Sequence, residues 1–302
     1  MATGDSTAIG HDPIARTVVW GARLAWLALA VAGGAAFGTA LSTHGRAVQV
    51  TGTVGLWAGW GVVALALLVP STVALSVVRV VVPMAMVASV VAALGGDDTV
   101  ERVVCVALTV LVTAMIANAE FGQLFAQGSA YGDEERFVLR PPVPYLVPVV
   151  VSWCVWCAAV FAGPLLLAAR SWVLGAAITP AGAGLTWFLG RRFHRLSRRW
   201  VVLVPAGIVL HDQLVLAETS MFPKATLVHT RLALADTQAA DLTGPAAGMA
   251  VEIAVADVPT VVLAPTRTAP RGTALHVRSV LVAPSRPGRL LAAVARRGFP
   301  VA

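Results

Sequence analysis

Arg23, Arg79 and Glu120 are ionisable side chains inside otherwise apolar stretches, and any chemistry in the first half of this sequence would fall to them. A charge in hydrocarbon costs several kcal/mol unless it is paired or reaches water, so each needs a partner or a way out. Two readings stay open. With the neighbouring Asn118 these groups could line a path for an ion or proton, or hold an anionic headgroup. Alternatively, Arg79 and Glu120 form a structural pair while Arg23 snorkels to the interface.

Other reactive residue types point away from catalysis. Cys154-Val155-Trp156-Cys157 has redox spacing but lies mid-way along an apolar run, where nothing electropositive and accessible would sustain a thiolate; two packing residues are expected. His194, His211, His229 and His276 show neither metal spacing nor a paired acid beyond Asp212. Phosphate-cradling loops, dinucleotide turns, nucleophile elbows and zinc-protease motifs are absent. The expectation is therefore no catalytic residue, no metal and no cofactor.

The elements that must position these charges are membrane spans. The 302 residues are 58% hydrophobic and 12% charged, against roughly a quarter charged in soluble domains. The formal charge of +7 comes from arginines beside apolar runs, not interleaved with aromatics, so it reads as membrane topology and not as a nucleic-acid surface. Lys224 is the one lysine among 22 basic residues, the bias of a GC-rich coding sequence such as that of a high-GC bacterium.

Residues 1–16 read as a flexible tail and 17–190 as the membrane region. Apolar runs suggest spans over 17–41, two helices between 53 and 94 turning at Pro70-Ser71-Thr72, then 103–121, 145–168 and 172–189. Ser71 or Thr72 would cap the third helix. The last span carries Gly175, Pro180, Gly182 and Gly184, which leaves a re-entrant segment as an alternative. Gly34 with Gly38 and Gly55 with Gly59 are small residues four apart, so spans one and two are expected to pack closely there. The polar interval around Asp133-Glu134-Glu135-Arg136 is either a solvated connector or a segment docked on the following domain.

A basic hinge over 191–200 carries Arg191, Arg192, Arg195, Arg198 and Arg199. Arginines beside a span stay on the cytoplasmic side, so this cluster is read as the topology anchor, placing both termini of a multi-pass inner-membrane protein in the cytoplasm. On that topology Arg23 and Arg79 sit roughly 9 to 11 Å deep at 1.5 Å per residue, level with Glu120.

From 201 to 298 short β-type runs replace the spans: 201–204, 208–210, 214–216, 226–234, 249–255, 260–264 and 275–282, then a helix from Pro287 to Arg297 ended by Gly298. This meander and the ending Val280-Leu281-Val282-Ala283-Pro284-Ser285-Arg286-Pro287 resemble the bacterial pleckstrin-homology-like domains that hang on membrane spans. The resemblance implies a bent β sandwich or barrel plugged by its C-terminal helix, a scaffold role and no catalytic residue. Phosphoinositide-binding members use a basic pocket in the first strand loops, whereas Pro205-Ala206-Gly207 and His211-Asp212-Gln213 carry no Lys or Arg.

The expected fold is thus a bundle of about six helical spans followed by a cytoplasmic β-rich domain. Its partners would be the lipid bilayer and membrane or cytoplasmic proteins, not nucleic acid. The expected role is a structural or regulatory component of a bacterial envelope complex; the alternative is a small transporter or channel-like protein using the intramembrane charges.

Overall fold

A computed structural model describes residues 13–95, 100–266 and 268–302. Seven helices precede the C-terminal strands among these residues: α1 (Pro13–Ser42), α2 (Arg46–Leu68), α3 (Thr72–Leu94), α4 (Val100–Ala117), α5 (Ala119–Gln127), α6 (Val143–Ala168) and α7 (Trp172–Ser197). Pro13 opens α1, a position where its missing N–H costs nothing, so the helix takes in residues the sequence had assigned to the tail. Residues 1–12 lie outside the described ones. Ser71 caps α3 by accepting from the Ala74 amide at 3.1 Å. Pro180 sits inside an unbroken α7, so the last apolar segment is one continuous helix.

Two compact units divide the described chain. The helical unit runs to Gly128 and resumes over Val149–His194; the other takes Ser129–Pro148 and Arg195–Ala302. In the helical unit, Trp26 and Leu29 of α1, Leu67 of α2, Leu75 and Val78 of α3, Ile116 of α4 and Phe121 of α5 share one core. Apolar surface alone does not hold helices together in lipid, and polar contacts supplement it here. The Trp26 and Trp60 indoles each donate to the other's backbone carbonyl, at 3.0 and 2.9 Å, fastening α1 to α2. Ser89 and Thr109 bridge α3 and α4 at 2.8 Å. Trp153 donates to the Val80 carbonyl at 2.9 Å, joining α6 to α3.

The glycines of α1 and α2 do not make the contact expected of them. A Cβ placed on Gly34, Gly38, Gly55 or Gly59 would meet nothing within 4 Å. The close approach lies between α6 and α7, where a Cβ on Gly163 would fall 2.9 Å from the backbone of Thr179 and one on Gly175 2.7 Å from that of Leu167. Glycine spacing marks a permissive face; which face meets a neighbour depends on the large residues around it, and in α1 and α2 the tryptophans take that role.

The second unit is β-rich. Its first strand, β1 (Glu135–Val138), belongs to the interval between α5 and α6. The rest follow α7: β2 (Arg199–Val204), β3 (Gly207–Asp212), β4 (Ser220–Pro223), β5 (Leu227–Leu232), β6 (Ala240–Asp241), β7 (Val251–Val255), β8 (Thr260–Leu263), β9 (Thr273–His276) and β10 (Ser279–Val282), closed by α8 (Pro287–Arg296). One sheet runs β1-β2-β3-β4, all antiparallel. A second runs β5-β7-β10-β6, with β6 parallel to β10, and β8 pairs with β9 in a hairpin. Period-two alternation turns Val201, Leu203, Ile208, Leu210, Ile253 and Val280 into one core, where Leu290 and Val294 of α8 join them.

Three strand expectations change. The run 275–282 is two strands, because Val277 is buried and its amide donates to the Pro259 carbonyl at 3.0 Å while the chain leaves β8 for β7. Of the run 214–216, Leu214 and Val215 lie in a turn, with the Asp212 carboxylate accepting from the Leu214 amide at 3.1 Å, and Leu216 makes a single antiparallel bridge to Leu263. The interval around Glu135 is docked, not solvated: Phe137 opposes Val201, and Leu139 bridges Pro284. Consequently the domain begins before the expected boundary at 201, and the helix continues through the expected hinge to Ser197.

Glu135 fastens this docked strand to α8, accepting from Arg296 at 3.0 Å and lying 3.7 Å from Arg297. Arg296 is half exposed, which screens its share. Glu135→Ala is expected to cost about 1 kcal/mol and to speed hydrogen exchange at the Phe137 and Val138 amides while β7 is unaffected.

Candidate functional site

At the end of the helical unit marked by the α2–α3 turn lie polar side chains from four helices, α1, α3, α5 and α7. Arg23 of α1 donates through Nε to the Leu67 carbonyl at 2.9 Å and through Nη2 to that of Leu68 at 3.5 Å, and it lies 4.8 Å from the Trp20 ring. These are last-turn carbonyls that α2 cannot satisfy itself, and a cation suits the negative end of a helix. Arg23 is a helix cap supplied by a neighbouring helix. Arg23→Met should therefore cost about 1–2 kcal/mol, seen as a lower melting temperature in detergent, with lysine restoring part of it.

Arg79 of α3 meets α5: a Cβ on Gly122 would fall 2.5 Å from its Nη2, so the guanidinium occupies the space that glycine leaves. Glu120, two residues earlier, is 4% exposed. The sequence placed Glu120 and Asn118 at the end of the fourth span, but α4 stops at Ala117. Asn118 is the N-cap of α5, its side chain accepting from the Glu120 amide at 2.9 Å. Phe121 and Phe125 stack 4.3 Å apart and are fully buried in the same core. A double-mutant cycle on Arg79 and Glu120 reads whether the two charges act as a pair, and additive effects on stability would discard that idea.

Sequence reading missed Ser76 and Gln123, and gave His194 no role. Ser76 lies 2.7 Å from His194 Nδ1 across α3 and α7, and Gln123 is buried. Spacing held the signal: Ser76 and Arg79, and Glu120 and Gln123, are three apart and share a helix face.

Of the expected anchors, Arg191 lies over the Trp187 ring at 4.1 Å and Arg192 over Phe188 at 4.3 Å. Arg195 is exposed and Arg198 partly so. Arg199 departs from the group. It belongs to β2 and is 1% exposed, bonded through Nε to both Asp212 oxygens at 2.9 Å and through Nη2 to Asp212 Oδ2 at 2.6 Å. Its remaining donors reach the Arg140 and Thr243 carbonyls. It is a core residue of the β unit, not an anchor.

Elsewhere in the β unit, His211 stacks on Trp200 at 5.1 Å, and Arg136 covers the same ring at 5.0 Å. Burial, then the charges of Arg198 and Arg136, push the His211 imidazole below its ordinary value against the pull of Asp212. Burial alone would raise Glu252, but the hydrogen bond from Arg231 at 2.8 Å, with His229 lying 3.5 Å away, outweighs it and holds the carboxyl below its ordinary value. Cys157 is buried and Cys154 exposed on α6, both free thiols. Among the described residues no group of three His, Cys, Asp or Glu could hold a metal ion.

Among the described residues six helices are long and apolar enough to cross a membrane, and a β-rich C-terminal region follows them, the architecture of a multi-pass membrane protein. Comparison with protein-family models, curated proteins and solved structures gives no match for the chain.

Proposed function

We propose that the protein is a structural or regulatory interaction component of a bacterial envelope complex, with its β unit as the recognition module. The carrying observation is an exposed apolar patch at one end of the second sheet. Leu234 and Met249 are 64% and 62% exposed on either side of the hydrogen bond from the Ala233 amide to the Ala250 carbonyl, with Leu232 exposed next to them. Contiguous apolar surface on a folded domain marks a contact site.

Two small sheets over one core, closed by a C-terminal helix, support the pleckstrin-homology-like reading of the unit. The membrane charges support a scaffold over a transport path. Arg23 is committed to the α2 carbonyls, Asn118 to capping α5, and Glu120 is buried beside packed phenylalanines. The exposed Arg191, Arg192 and Arg195 at the end of α7 support a cytoplasmic β unit, since arginines beside a span stay on that side.

Affinity purification of the full chain from native membranes should yield a stoichiometric protein partner, and Leu234→Asp with Met249→Asp should release it. Retention by that variant, or no partner at all, sinks the proposal. A reporter enzyme on Ala302 that is active only outside the cytoplasm would overturn the orientation.

A further inference from the structure

We propose that Arg191 and Arg192 bind the phosphate of an anionic phospholipid in the leaflet at the C-terminal end of α7. Three observations converge on this. First, Trp187 and Phe188 are 69% and 54% exposed on a helix long and apolar enough to span a bilayer, so lipid is the medium that covers them. Large aromatics in that position settle at headgroup level.

Second, each guanidinium carbon sits over the ring one helical turn before it, 4.1 Å from the Trp187 centroid for Arg191 and 4.3 Å from that of Phe188 for Arg192. The cation–π contact holds the cation at the depth of the ring, and the planar fork of guanidinium donors matches phosphate bidentately. Third, no acid competes. α7 contains no Asp or Glu, and among the described residues neither arginine has a carboxylate partner. Arg136 and Arg199, by contrast, hold Glu134 and Asp212. Adjacent helix positions point the two side chains about 100° apart, so the pair presents its donors over a wide arc of the headgroup layer.

The test reconstitutes the full chain in phosphatidylcholine vesicles and compares association of spin-labelled phosphatidylglycerol with that of spin-labelled phosphatidylcholine. Wild type should prefer the anionic probe. Each of R191Q and R192Q should lower that preference roughly fivefold, the share of one arginine at an anionic surface, and R195Q/R198Q should lose less. Lysine at both positions should keep only part, since an ammonium lacks the fork. The proposal is overturned if wild type shows no preference, if either single glutamine variant leaves the preference intact, or if the loss follows Arg195 and Arg198 instead.

Discussion

Gly163→Leu should destabilise the helical unit markedly, while Gly34→Leu leaves it unchanged. The Gly163 Cβ would lie 2.8 Å from Thr179 Oγ1 and 2.9 Å from both Thr179 Cα and N. Backbone cannot swing aside as a side chain end can, so the larger residue must push α6 and α7 apart. That separation also breaks the hydrogen bond from the Trp156 indole to Thr186 at 2.8 Å. Overpacking of this kind costs roughly 1–3 kcal/mol, and each kcal/mol lowers the melting temperature by about 2–4 °C in a protein of this size class. Gly34 faces open space, so a leucine there touches only lipid or detergent and should move stability by less than about 0.5 kcal/mol. Melting curves of both variants in one detergent decide it; equal shifts would show that the close helix contact has been placed on the wrong pair.

That contrast also shows what the residues reveal and what they hide. The membrane half is legible because hydrocarbon imposes one rule along each span, and the turns at Pro70-Ser71 and Ala169-Arg170-Ser171 fall where the apolar runs break. Which helix faces meet is set by partners far apart in sequence. Gly34-x-x-x-Gly38 reads the same whether it meets a helix or lipid, and the Trp26 to Trp60 lock has no local signature.

In the β unit, the alternation of Val201 and Leu203 is plain, and β1 is not, although Phe137 and Leu139 are two apart and both buried. Acidic residues on one side of that pair and prolines on the other give it the look of a loop. Its strand partner lies beyond two further helices. Asn118 and Glu120 were misplaced for a simpler reason: an apolar run continues through a helix break when the next helix is itself buried, as α5 is at Phe121 and Phe125.

Arg199 could have been identified from its own hairpin. Val204 pairs with Gly207 across the Pro205-Ala206 turn, and counting back from that turn sets Arg199 opposite Asp212. Arg199 also shares its strand face with Val201 and Leu203, so the register alone puts the guanidinium inside. Both side chains are essentially inaccessible, at 1% and 0%.

Arg199→Met is therefore expected to cost about 3–5 kcal/mol, because it strands the Asp212 carboxylate without its counter-ion in a dry interior. The Arg140 and Thr243 carbonyls lose their donor in the same step. Asp212→Asn should cost less, since an amide oxygen can still accept from Arg199 and from the Leu214 amide. The double variant should fall short of the sum by about 0.5–3 kcal/mol, the range for residues in direct contact. Hydrogen exchange on the full chain localises the loss: β2 and β3 amides should exchange far faster while α3 and α4 keep their protection. If Arg199→Met proves no worse than Arg195→Met, whose side chain is exposed, then Arg199 is an ordinary juxtamembrane arginine after all.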